Sequence, residues 1–135
     1  MGRNLSKKSK YYLPKPVREA MIKYAKLYPG WRARYNAIGG TKAMTISDMP
    51  RSGNLIDTTQ RDGIRRAELD EKMNQIEDAA IKTDSSLFRY ILIGVTEDLS
   101  YEIMRARHRI PCGKNEYYAK KRRFYYILAQ ERGEI

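Results

Sequence analysis

Asn115, Tyr118, Ala119, Arg122 and Tyr126 recur at three- and four-residue spacing near the end of the chain, which on a helix gathers them along one side. An Asn side chain can pair bidentately with adenine and an Arg with guanine, and a small Ala lets a helix approach base edges closely. Lys114, Lys120, Lys121 and Arg123 flank this set, where they would meet phosphates on either wall of a groove. Phosphate contacts position a protein, and base contacts specify the sequence. Tyr117, Phe124, Ile127 and Leu128 fall on the opposite side and would hold the helix to a core. The helix start has no acidic residue before Glu116 and so offers a favourable partial charge to a phosphate. These residue types at this spacing suit recognition of a duplex. The run KKRRFYYIL would also serve a coiled-coil or core helix with a solvated basic face.

Catalytic chemistry finds little to work with. His108 is the only histidine and sits between Arg107 and Arg109, as a surface residue would. Cys112 is the only cysteine, whereas zinc sites want three or four ligands at set spacing. Beside a helix start and cations its thiol would have a lowered pKa, but it reads as a turn residue. Asp70, Glu71, Glu77 and Asp78 have neighbours of opposite sign, so ion pairing accounts for them. No GxGxxG or GxxxxGK[ST] phosphate loop occurs, and Gly39-Gly40 is a bare turn signal. No catalytic, cofactor-binding or metal-binding residue is expected, and the chain is not read as an enzyme.

The elements that must position the basic helix are legible around it. Asp98-Leu99-Ser100 caps a short helix, YEIMRARHR, whose apolar side is Leu99, Ile103 and Met104. Ile110-Pro111-Cys112-Gly113 breaks it, with Ile110 buried at the turn, and a last helix runs from about Asn115 to Glu131. A supporting helix, a turn and a basic helix entering the major groove make a helix-turn-helix. Arg105 and Arg109 then join Lys114, Asn115, Tyr118, Ala119, Lys121, Arg122 and Arg123 as DNA-binding residues. Residues 99–132 hold nine Lys/Arg against Glu102, Glu116 and Glu131, so the charge excess sits where that motif predicts.

Upstream, LFRYILIGVT is the most apolar segment and reads as a central helix, a buried strand being the alternative. Thr83-Asp84-Ser85-Ser86 reads as a stop followed by an N-cap. Leu69, Met73, Ile76 and Ala80 form one stripe of a helix starting near Asp57, a core face or a surface for self-association. Residues 36–56 read as a long loop. VREAMIKYAKLY reads as a helix stopped by Pro29-Gly30, with Trp31 and Tyr35 covering one end of the core. The expectation is an all-α protein, a small helical domain with a C-terminal helix-turn-helix. A flexible basic arm (1–13) precedes an N-terminal helical region (14–83) and a DNA-binding module (84–132).

The net charge of +11 and pI of about 9.8 favour a polyanionic partner, since each neutralised phosphate releases condensed counterions. A lone cysteine fits a reducing compartment. No apolar run approaches the ~20 residues that cross a bilayer, and the start of the chain lacks the apolar segment of a secretory signal. A cytoplasmic protein without a membrane partner is expected.

The succession of an apolar helix, LSYEIMRAR, IPCG and a basic helix ending RRFYYIL resembles the C-terminal half of RinA- and ArpU-type late-gene transcription regulators of phages and prophages. Their C-terminal part is similar to region four of bacterial sigma factors. The resemblance covers roughly residues 85–131, and YYLPKPVREAMIKYAKLYPGW more weakly. It implies promoter binding and activation of late genes in a host bacterial cell, with Lys114, Asn115, Tyr118, Ala119 and Arg122 as reading positions. A recognition unit this short seldom gives enough affinity alone, so a homodimer on repeated half-sites or docking on RNA polymerase is expected. The segment IPCGKNEYY is about two residues longer than the usual sigma-type turn. Two other functions fit the residues: DNA recognition in phage packaging, as by a small terminase subunit, and a helical module that binds RNA polymerase without DNA.

Overall fold

Pro14 and Pro16 open the first helix, α1 (Lys15–Ala25), where a missing backbone N–H leaves no intrahelical bond unmade. The computed structural model describes residues 10–40 and 54–135 of the chain. These residues are all-helical: α1 is followed by α2 (Tyr28–Gly40), α3 (Asn54–Thr83), α4 (Phe88–Thr96), α5 (Tyr101–His108) and α6 (Lys114–Glu131). Segment 87–96, helix or strand by composition, is a helix.

Three boundaries differ from those expected. Helix α1 ends at Ala25, and Pro29-Gly30 lies in the first turn of α2 instead of stopping a helix; proline is tolerated there because that turn needs no donor. Residues 36–40 complete α2 and residues 54–56 open α3, so the loop expected over 36–56 is shortened at both ends; its residues 41–53 lie outside the described ones. Residues 1–9 of the expected arm also lie outside, but Leu13 is buried and Tyr11 and Tyr12 are half-buried. Packing therefore begins before Pro14.

The main apolar cluster draws on five helices. Met21 and Ala25 come from α1, Tyr28 and Trp31 from α2, and Ile91 and Val95 from α4. Leu69, Met73, Ile76 and Ala80 supply the expected stripe of α3, with Ala79 beside them. Phe124, Tyr125, Leu128 and Ala129 enter from α6. The core therefore runs across residue 84, and the C-terminal helices are rooted in it. A second, smaller cluster joins Met104, Ile110 and Tyr117, with Tyr90, Ile93, Leu99 and Tyr101 packed around them. Helix α6 alone contributes fully buried side chains to both clusters.

The close approach of α4 to α6 depends on Gly94. A Cβ there would collide with the ring and hydroxyl of Tyr117. That hydroxyl donates to the Leu99 carbonyl at 2.7 Å, so the ring is not free to swing aside. Gly94→Ala is expected to lower stability by about 1–3 kcal/mol through overpacking. Gly63→Ala, inside α3 with open space around the added carbon, is expected to raise it by about 0.5–1 kcal/mol. Urea unfolding of both variants beside the parent checks the two signs.

Candidate nucleic-acid interface

Helix α5 is fixed at both ends by local chemistry. Ser100 has extended backbone and its Oγ accepts from the Ile103 N–H at 3.3 Å, the N-cap expected from the sequence. At the other end Arg109 is left-handed, with φ 53° and ψ 47°. The Ile110 N–H donates back to the Met104 carbonyl at 3.4 Å, a bond spanning six residues that closes a Schellman motif. The motif brings Ile110 onto Met104, and both are essentially inaccessible. The Tyr101 hydroxyl donates to the Cys112 carbonyl at 2.8 Å and holds the connection 109–113 against α5. Ile103, expected on the inner side, is exposed; Tyr101 packs there in its place.

Gly113 precedes α6 and supplies no side-chain cap to the first amide groups of the helix. Asn115 and Ala119 are exposed, and Arg122 and Tyr126 are half-buried on the same stripe. Tyr117, Phe124 and Leu128 are buried on the other side and Ile127 partly so. Tyr125 and Ala129 are buried as well, which the sequence reading missed; each lies four residues from another inward side chain, Lys121 or Tyr125.

Two expected DNA contacts are held by the fold itself. The Lys121 side chain is only 12% exposed; its ammonium lies 3.7 Å from Asp98 and donates to the Leu99 carbonyl at 3.4 Å. It also sits 5.4 Å from the Tyr117 ring centre. Burial pushes its pKa down even with Asp98 beside it. Lys121 is thus an inward structural cation, not a side chain on a phosphate wall. The Tyr118 hydroxyl accepts from the Tyr101 N–H at 3.0 Å and ties α5 to α6, so this oxygen is engaged within the protein and not turned to a base.

The remaining cations divide by type. Lys114 pairs with Glu102 at 3.1 Å and Lys120 with Asp84 at 3.0 Å. Arg105, Arg107, Arg109 and Arg122 form no ion pair among the described residues. The Arg123 guanidinium lies over the Tyr11 ring at 5.7 Å. Asp84 also accepts from the Ser86 hydroxyl at 2.7 Å and from the Ser86 and Leu87 amides. The Ser86 hydroxyl first, and Lys120 next, hold its carboxyl well below the usual carboxylate range.

Other groups offer less. Burial, with Glu116 and Asp84 nearby, pushes the Cys112 thiol up, opposite to the lowering expected from a helix start. His108 is half-buried. Among the described residues no three His, Cys, Asp or Glu side chains are grouped to hold a metal ion. Nor is any helix there long and apolar enough to cross a membrane. A shallow depression of about 380 Å³ is lined by Asp98, Ser100, Glu102, Lys114, Tyr118 and Lys121, all already bonded to one another or to nearby backbone. Comparisons of the chain with family models, with curated proteins and with solved structures find no match.

The division of roles has measurable consequences. Lys121→Ala is expected to cost about 1–3 kcal/mol of folding stability, the range for a hydrogen-bonded charge, whereas Arg122→Ala should stay within about 0.5 kcal/mol of the parent. Thermal melting of the two variants separates them. The folded Asp84 carboxyl has a lower pKa than in the unfolded chain, so the unfolded state binds more protons in acid and stability rises with pH. That contribution is complete above about pH 5 and fades as pH falls through the acid range. Between pH 5 and pH 2, Asp84→Asn should lose less stability than the parent, as read by unfolding midpoints.

Proposed function

We propose that the chain is a sequence-specific duplex-DNA-binding transcription regulator, with α5 and α6 acting as a helix-turn-helix. One observation carries this reading: exposed Asn115 and Ala119 share a stripe with Arg122, which forms no ion pair among the described residues, on a helix anchored by its opposite side. The N-terminal half of α6 would enter the major groove, with Asn115 and Arg122 at base edges. Arg105 and Arg109, on the preceding helix and turn and without an ion pair among the described residues, would take phosphates. Lys114 would join them, because its pair with Glu102 is exposed on both sides and solvent screening keeps such pairs weak. The bare start of α6 adds a partial positive charge.

The resemblance of residues 85–131 to RinA- and ArpU-type regulators supports the narrower role of activating phage or prophage late genes. A single recognition unit of this size gives modest affinity. Pairing of two copies on repeated half-sites, or docking on RNA polymerase, would supply the rest.

Selection of bound fragments from a pool of random duplexes is the direct test. A common motif should emerge, and affinity for it should fall by orders of magnitude from 50 to 200 mM salt if six or more phosphates are engaged. Arg122→Ala should cost about 1–3 kcal/mol and relax preference at one position. Arg109→Gly should weaken all sequences alike while raising the melting temperature, since glycine relieves the left-handed backbone. Failure to enrich any motif, together with salt-independent retention, overturns the reading.

A further inference from the structure

Beyond the reading positions, α6 meets a residue from the other end of the chain. The Arg123 guanidinium lies 5.7 Å from the centre of the Tyr11 ring, and the Lys10 ammonium lies 5.6 Å from the same point. Two like charges therefore share one ring. The ring itself is fixed in place: it packs edge-on against Tyr126, with centroids 5.3 Å apart, and Leu13, two residues later, is buried in the main cluster.

Nothing among the described residues neutralises this pair. Lys114, Lys120 and Lys121 of α6 each lie beside a carboxylate, whereas neither Lys10 nor Arg123 forms an ion pair among the described residues. One cation over an exposed ring is favourable, but a second beside it repels the first. Tyr11 is already held by Tyr126 and by the burial of Leu13, so its packing does not call for both. An anion that meets both cations would remove the repulsion.

The position along the helix selects that anion. Eight residues separate Asn115 from Arg123, a rise of about 12 Å at about 1.5 Å per residue, and the major groove is about 12 Å wide. A helix whose start lies at base edges thus carries Arg123 out to the phosphates at the groove wall.

We infer that Lys10 and Arg123, set on the Tyr11 ring, form a further phosphate-binding site that meets the duplex backbone where α6 leaves the groove. This rests on the DNA-binding reading of α6. Holding both cations on the ring before binding lessens the side-chain ordering that opposes the contact. The site adds affinity and fixes the lie of α6 without reading sequence, since its ligand is the backbone.

The test is fluorescence anisotropy with a labelled 30-base-pair duplex of mixed sequence, titrated between 50 and 200 mM NaCl. The parent is compared with a variant carrying Lys10→Gln and Arg123→Gln, which keeps aliphatic stems against the ring, and with one carrying Lys10→Arg and Arg123→Lys, which keeps both charges. Each cation taken from a phosphate should make the slope of log affinity against log salt shallower by about 0.9. The glutamine variant should therefore lose about 1.8 from the slope, with little change in melting temperature, and the charge-retaining variant should keep the parent's slope. A loss below about 0.9 in the glutamine variant, or an equal loss in the charge-retaining one, overturns the site and leaves the α6 reading standing. If the parent shows no salt-dependent binding, both are overturned.

Discussion

Helix α6 has to bury one side along nearly its whole length while keeping the start of the other side open. Tyr117 is locked in the small cluster beside Met104 and Ile110, and Phe124 and Leu128 are locked in the main core. Burying side chains of this size contributes about 1.5–3 kcal/mol each, so the helix cannot rotate about its axis without exposing one cluster or the other. The orientation of every outward residue follows from that constraint. It also sets how α4 may approach, since only a glycine at position 94 leaves room for the Tyr117 ring. Helix α5 is then positioned by bonds that run to α6 and to the turn: Tyr118 to Tyr101 N–H, and Tyr101 to Cys112 carbonyl.

Charge is distributed around this frame in a way composition does not reveal. Three carboxylates beside α6 hold its lysines: Glu102 holds Lys114, Asp84 holds Lys120, and Asp98 holds Lys121 together with Lys26 of α1. These lysines join elements to one another, whereas Arg105, Arg107, Arg109 and Arg122 form no ion pair among the described residues. A flexible ammonium suits a single carboxylate, whereas the planar fork of a guanidinium suits bidentate recognition of phosphates and guanine. Lys114 differs from Lys121 within the lysine group, being exposed where Lys121 is enclosed.

Much of this was legible in the sequence because it is periodic. The α3 stripe of Leu69, Met73, Ile76 and Ala80, the apolar α4, the Ser100 cap and buried Ile110 all rest on local spacing and local chemistry. What escaped depends on partners far away in the chain. Centring the buried side of α6 on Phe124 left Lys121 facing solvent, but that side also includes Tyr125 and Ala129. Lys121 then falls one turn after Tyr117 and one turn before Tyr125, in the middle of the buried stripe. Its charge is acceptable there only because Asp98 and the Leu99 carbonyl arrive from the α4–α5 link, which helical periodicity cannot show. Pro29-Gly30 misled for a different reason: as local punctuation it marks the start of a helix as readily as the end of one.

Among the described residues two non-glycine residues adopt left-handed backbone, Asp98 and Arg109, both at φ 53°, and they bracket α5. Aspartate visits that region more readily than most residues, and here its carboxylate gains ion pairs with Lys26 and Lys121 that bind α1 and α6 to the α4–α5 link. The strain at Asp98 is offset inside the protein. Arg109 has no comparable offset: its side chain is exposed and forms no ion pair among the described residues. Glycine would close the same Schellman turn at lower cost. The folded chain thus supplies a structural reason for the side chain at position 98 and none for the one at 109. On the proposed DNA-binding reading, the strain at Arg109 would be offset by a phosphate outside the chain pairing with the guanidinium.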